Sequence, residues 1–237
     1  MTDVLEPLAE DQWFIDHPLL HQFVATVQAA RSRFEGNYVG LLAALEPPFQ
    51  ELLARSGWLP DPFLAPNPAS GMGGGIGQWL IYRSADRSLT LFSLVVPAGS
   101  ATPVHDHLAW GLIGLYQGHQ EETVYQRQDD EQTSPSLSHD HDQATLHSHQ
   151  AESHAYLQVA EVRSLRPGDL YGLLPPKGDI HAVKTTSPEA SVSIHLLGND
   201  TGCVWRHQFN PEAQTVRSFR SGYSNAPCLE KDPQIVG

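Results

Sequence analysis

Three histidines carry the most legible chemistry of this chain. His105 and His107 stand two apart in Gly99-Ser-Ala-Thr-Pro-Val-His105-Asp-His107, and His181 ends the segment Pro176-Lys-Gly178-Asp-Ile-His181. Residues i and i+2 of a strand point to one face, roughly 7 Å apart, so two such imidazoles can converge on one metal ion at about 2.1 Å. A third ligand is needed. His181 follows a Pro-Gly turn at the start of a later apolar run, from which a neighbouring strand could present it. Imidazoles alone accept Fe, Zn, Ni or Cu. The chain also holds His139-Asp-His141 and His147-Ser-His149, but these lie in a polar stretch without apolar alternation, so no rigid strand fixes them and they read as solvated loop histidines. With 13 histidines against 14 Lys plus Arg, metal binding is the first hypothesis to test.

The elements that must position these ligands divide the chain in two. From Asp11 to about Glu35, Trp13, Phe14, Leu19, Leu20, Phe23, Val24, Val27 and Ala30 recur at three- and four-residue steps, the period of an amphipathic helix. A second helical stretch, Val39 to Leu53, is expected to be interrupted at Pro47-Pro48. Residues 1–75 thus read as a helical extension ending in a loop rich in Pro and Gly from Pro66 to Gly75. After Ile76 the texture changes to about ten short runs rich in β-branched and aromatic residues: Gln78–Arg83, Leu89–Val96, Trp110–Tyr116, Thr123–Arg127, Ala155–Val162, Leu170–Leu174, His181–Thr185, Ser191–Leu197, Val204–Phe209 and Thr215–Phe219. Separated by turn residues with no helical pattern between them, they predict an antiparallel sandwich or barrel over 76–225. Gln128 to Ser153 reads as a polar His-rich insertion and 226–237 as a tail.

The motifs resemble those of the cupin superfamily. Its first motif is Gly, five residues, His-x-His, three or four residues, Glu, six residues, Gly; here Gly99, His105, His107 and Gly118 match, while Gly111 stands where the Glu would be. Pro176, Gly178 and His181 fit the end of the second motif. A three-His set without the carboxylate is what thiol dioxygenases of the superfamily use, and the chain is most similar to the cysteine dioxygenase-like group, especially 3-mercaptopropionate dioxygenases. Gln78, Ser193-Ile-His195, Trp205-Arg206-His207 and Ser221-Gly-Tyr-Ser-Asn225 add to the likeness. The resemblance implies a mainly β cupin barrel with an N-terminal helical extension, Fe(II) on His105, His107 and His181, and oxidation of a small thiol by O2 to its sulfinate. It further implies Ser193 and His195 behind the ligands, with Gln78, Arg206 and Leu197 at the substrate, the first two as polar groups for a thiol carboxylate. One departure is Leu197, where the family pattern Ser-x-His-x-Tyr has its tyrosine; Tyr171 or Tyr223 could replace that hydroxyl, or the substrate is less polar there. No cysteine flanks His107, so a Cys-Tyr cross-link of the animal type is excluded.

Bulk composition narrows the alternatives. A formal net charge of -13 argues against nucleic acid, whose phosphates demand Lys/Arg clusters. With 40 % hydrophobic residues and no apolar run near the roughly 20 residues of a membrane span, no membrane association is expected. The acidic N-terminal sequence lacks the features of a secretory signal, so the cytoplasm is the expected compartment, and Cys203 and Cys228 are expected to be free thiols there. Two other readings remain: a metal-dependent cupin with another reaction, such as carbon–carbon cleavage or isomerisation, and a non-enzymatic metal- or small-molecule-binding cupin.

Overall fold

The computed structural model describes residues 5–70, 72–128 and 153–228. Most of the polar insertion, with His139, His141, His147 and His149, and the tail beyond residue 228 lie outside the described residues. The elements follow in the order β1 (Gln12–Trp13), α1 (Pro18–Arg33), α2 (Tyr38–Ala54) and a 3-10 turn (Asp61–Leu64). Then come β2 (Gly77–Arg83), β3 (Thr90–Val96), β4 (Val104–His105), β5 (Gly111–Gln117), β6 (Gln120–Arg127), β7 (Ser153–His154) and β8 (Leu157–Leu165). The last five strands are β9 (Leu170–Leu173), β10 (Ile180–Thr185), β11 (Ser191–Leu197), β12 (Arg206–Asn210) and β13 (Thr215–Phe219). Two antiparallel sheets result, ordered β1-β2-β3-β11-β5-β9 and β7-β13-β12-β4-β10-β6-β8. Their curled arrangement is the mainly β, cupin-type double-stranded β-helix, carrying two helices.

β3 and β11, at the centre of the first sheet, are buried on both faces; β3 is mostly apolar, whereas β11 carries Ser191, Ser193 and His195 among its apolar residues. Alternate residues divide between two cores. Val192, Ile194 and Leu196 of β11 pack with Phe23, Val27, Leu45 and Phe49 of the helices. Leu197 instead joins Leu80, Phe92, Ile113, Leu115 and Leu173 in the second core. By the same alternation Ser193 and His195 face that second side, away from the helices. Gly114 gives α2 its close approach, because a Cβ there would stand 2.3 Å from Leu53 Cδ1.

Three local expectations are corrected. Trp13 belongs to β1, paired with Tyr82, and the first helix begins only at Pro18, capped by the His17 ring accepting from Leu19 N–H. The second helix runs unbroken through Pro47 and Pro48. Leu41, Leu42, Leu45, Phe49, Leu52 and Leu53 are buried along its inner face, whereas Ala43 and Ala44, whose carbonyls lose their helical donors to the prolines, are exposed to water. Packing of the inner face therefore outweighs the lost bonds. Lastly, Cys203 and Cys228 form a disulfide with Cα atoms 5.2 Å apart. The segment after β13 returns across the loop following β11, and that path brings together two sulfurs that sequence separation gave no reason to pair. The cysteines no longer speak for a reducing compartment. Among the described residues, no helix is long and apolar enough to cross a membrane.

Candidate metal centre

β4 and β10 are hydrogen-bonded neighbours, and His105 is paired directly with His181. His107 lies beyond the end of β4, so it is placed by the turn that follows rather than by strand alternation. Asp179, just before β10, makes that turn: its carboxylate accepts N–H bonds from His107 at 2.9 Å and Leu108 at 3.0 Å. Leu108 takes a left-handed φ of 55°, a conformation with a steric cost that this double acceptor offsets. Asp106 anchors the turn from its other side. Its carboxylate accepts from His207 N–H at 2.8 Å and meets His207 Nδ1 at 2.6 Å, and its carbonyl accepts from Arg206 Nη1 at 2.7 Å.

The result is three buried imidazoles with centroids 4.9 Å apart in each pair, and one ligand nitrogen from each lies within 4.8 Å of the others. Every Nδ1 is engaged behind the cluster: His105 with Pro103 carbonyl at 2.9 Å, His107 with Asp179 at 3.2 Å, His181 with Glu122 at 2.6 Å. An Nδ1–H donating backwards leaves Nε2 as the lone-pair nitrogen facing the other rings, the tautomer a metal ligand needs. Burial holds His105 and His107 well below the usual imidazole range, helped by the nearby Arg206 guanidinium and His181 ring and, for His105, by His107 as well. Neutral rings are the ligating form. The three residues fit a metal ion.

Beside the cluster a small pocket is lined by Met72, Gln78, Phe92, Leu94, His195, Thr201 and Arg206, together with His105 and His107. The Arg206 guanidinium is fully buried. It donates to Thr201 carbonyl at 3.3 Å, Asp106 carbonyl at 2.7 Å and Ser221 Oγ at 2.9 Å, and stands 4.4 Å over the Phe219 ring. Burial brings its pKa down to about 10, still far above neutrality. Ser193 Oγ is 2.9 Å from His195 Nε2, and the His195 ring stacks on Phe92. Burial also keeps His195 well below the usual range. Gln78 Nε2 and His195 Nδ1 are buried with no hydrogen-bond partner among the described residues. Such groups are costly unless something meets them.

The segment 220–228 closes this region. Ser224 Oγ accepts from Gln78 N–H at 3.1 Å, and the Asn225 amide clasps the backbone of Leu80 through two bonds of 2.9 Å. Tyr171 and Tyr223 point elsewhere. The Tyr171 hydroxyl is 3.4 Å from His181 Nδ1, behind the ring, and the Tyr223 hydroxyl accepts from Gly202 N–H at 3.1 Å. Leu197 is fully buried against Gly111, where an added Cβ would meet Leu197 Cδ2 at 2.3 Å and Leu196 carbonyl at 2.6 Å. The two departures from the family motifs therefore occupy the same space.

Residues that sequence reasoning passed over stand directly behind the ligands. Asp179 is part of the quoted second motif, and a buried acid two residues before a ligand was a usable signal. Glu122 lies one residue before the expected strand Thr123–Arg127; Gln120, Glu122 and Val124 form the buried alternation of β6, and an acid at such a position calls for a partner.

No family model matches the chain. Among solved structures it is similar to the cupin domain of Schizosaccharomyces pombe Cnp3, at 14 % identity and TM-score 0.33, over 56 % of this chain and 72 % of that one. It is similar to an oxalate oxidase at 11 % identity and TM-score 0.37, over 58 % and 56 %. A Klebsiella pneumoniae protein with a double-stranded β-helix domain shares 12 % identity at TM-score 0.37, over 63 % and 88 %. The chain thus spans little more than half the length of some structures it matches, and at these scores the likenesses carry nothing about activity.

Proposed function

We propose that this chain is an iron-dependent thiol dioxygenase that adds both atoms of O2 to the sulfur of a small thiol carboxylate, R–SH + O2 giving R–SO2H. The observation that supports this reading best is the pairing of a buried three-imidazole cluster with an adjoining buried guanidinium. Fe(II) bound there would supply electrons to O2 and, with no carboxylate ligand, would keep its full double charge to draw a thiolate.

The protein's own part is positioning. Three of the five Arg206 N–H groups are engaged by Thr201, Asp106 and Ser221, which leaves one on each terminal nitrogen and fixes the plane of the fork. A carboxylate reaching that fork would be held by charge-assisted bonds, with its sulfur end turned towards the histidines. The orphan amide of Gln78 offers one more donor to the same molecule. Ser193 can donate to His195 Nε2, which sets the ring hydrogen on Nδ1, a buried atom with no partner among the described residues, where it can steady an oxygen atom. Phe92, Leu94 and Met72 exclude water and strengthen these polar contacts.

The test is oxygen uptake by the iron-loaded protein with 3-mercaptopropionate, cysteine and the neutral 2-mercaptoethanol, with sulfinate followed by mass spectrometry. Uptake coupled to sulfinate, fastest with an acidic thiol, is expected. Tight iron binding with no sulfinate from any thiol would sink the reading.

A further inference from the structure

Many cupins place a carboxylate among their ligands, and this chain has Gly111 at that position. The carboxylates are found one step further out, behind two of the three rings. Asp179 meets His107 Nδ1 at 3.2 Å, whereas Glu122 meets His181 Nδ1 at 2.6 Å, and both acids are buried. The shorter contact belongs to a longer chain of groups. Glu122 sits on β6 directly across from Arg163 on β8, and Arg163 Nε forms a 2.7 Å ion pair with the second Glu122 oxygen. The side chain of Arg163 is 29 % exposed and that of Glu122 is 0 % exposed, so the pair runs from the surface to the back of a ligand ring. The Arg163 guanidinium also stands 4.5 Å over Tyr171, whose hydroxyl hydrogen-bonds to Glu122.

We infer that Glu122 is a positioning and charge-donating residue for the metal centre, and that Arg163 sets how much of its charge reaches the ion. The physics has two parts. A carboxylate accepting from Nδ1–H fixes the His181 ring with Nε2 aimed inward, and it draws the proton outward so that the ring becomes a stronger donor to a cation. Stronger donation favours the more highly charged ion, hence the ferric over the ferrous state. Arg163 opposes this by holding the other oxygen, and its Nε–H is not aligned for a hydrogen bond, so its hold is by charge alone. Removing Glu122 and removing Arg163 must then act in opposite senses. A merely structural ion pair would do otherwise: either loss would disturb the same β6–β8 contact and move the metal in the same way.

The inference rests on the three-imidazole centre of the proposed function but not on thiol chemistry, and its test reads affinity and potential rather than turnover. Fe(II) and Co(II) affinities and the ferric/ferrous midpoint potential are measured for the wild type, Glu122→Gln and Arg163→Gln. Glu122→Gln is expected to weaken metal binding roughly 10- to 100-fold. It should also shift the ferric-to-ferrous preference at least about tenfold towards ferrous, a rise of about 59 mV for one electron. Arg163→Gln is expected to lower the potential. Shifts in the same direction, or an unchanged potential in Glu122→Gln, would overturn the inference. Should Glu122→Gln not fold, Arg163→Gln decides alone, since its partly exposed side chain can be lost without opening the core; an unshifted potential then counts against. A protein that binds iron but oxidises no thiol loses the dioxygenase reading and leaves this test intact, whereas one that binds no ion loses both.

Discussion

Leu197 Cδ2 occupies the ground that a side chain on Gly111 would need: a Cβ built there lies 2.3 Å from it, and 2.6 Å from the carbonyl of Leu196. The two residues are cross-strand partners on β5 and β11. A missing carboxylate and a missing tyrosine hydroxyl are therefore one packing solution. Gly111→Ala is expected to cost about 1–3 kcal/mol through overpacking, and Leu197→Ala about 2–5 kcal/mol through the cavity left behind. The double variant should recover only part of the sum, because the Leu196 carbonyl remains close. Leu197→Tyr should destabilise for the same reason as Gly111→Ala. Denaturant unfolding of all four variants measures the coupling; full additivity would contradict the contact.

Single replacement of His105, His107 or His181 by Ala should leave the two apolar cores intact and abolish stoichiometric metal. The loss should exceed the roughly 10- to 100-fold effect typical of a residue behind a ligand. Metal analysis beside circular dichroism decides it, and a His181→Ala protein still holding one ion per chain would refute the ligand set.

The metal-free protein should lose stability as pH falls. The folded values of His105, His107 and His195 lie well below the 6.5 of an exposed imidazole because burial disfavours the charged ring. Below about pH 6.5 the unfolded chain takes up protons that the folded chain refuses, so unfolding becomes more favourable as acid is added, by up to about 1.4 kcal/mol per pH unit for each histidine. Above 6.5 both states are neutral and the effect vanishes. Melting temperatures of the metal-free wild type and of His195→Gln between pH 5 and 8 test this; the variant should show the shallower decline, and parallel curves would rule out His195 as a contributor.

Arg206→Leu should raise KM for 3-mercaptopropionate roughly 10- to 100-fold, the worth of a hydrogen bond to a charged group, with little change for 2-mercaptoethanol. It should also cost about 1–3 kcal/mol of stability, since the Asp106 and Thr201 carbonyls lose a buried donor. Arg206→Lys retains charge without the fork and should fall between. Equal effects on both thiols would make Arg206 a purely structural residue.

Much of the barrel could be read from local pattern, because burial on one or two faces leaves a period in the chain. Ser191–Leu197 and Thr215–Phe219 have the bounds their apolar alternation implied. What escaped was held by partners distant in sequence. The two-residue strand Val104–His105 has no pattern of its own and exists through pairing with β10 and β12. Asp179 and Asp106 work through backbone N–H groups up to 101 positions away, which no local window contains. The prolines of α2 misled because their cost is local, whereas the packing that overrides it comes from α1 and the sheet. The disulfide likewise depended on the return path of the chain after β13.

That return path makes the ligand turn and the pocket wall depend on the same late part of the chain. His105 is held by pairing with β12 as well as β10, and the turn that carries His107 leans on His207. Ser221 steadies Arg206, Ser224 holds the Gln78 backbone, and the Cys203–Cys228 bond ties the segment down. A chain truncated after β11 thus forfeits both halves of the site at once, although all three imidazoles are still in it.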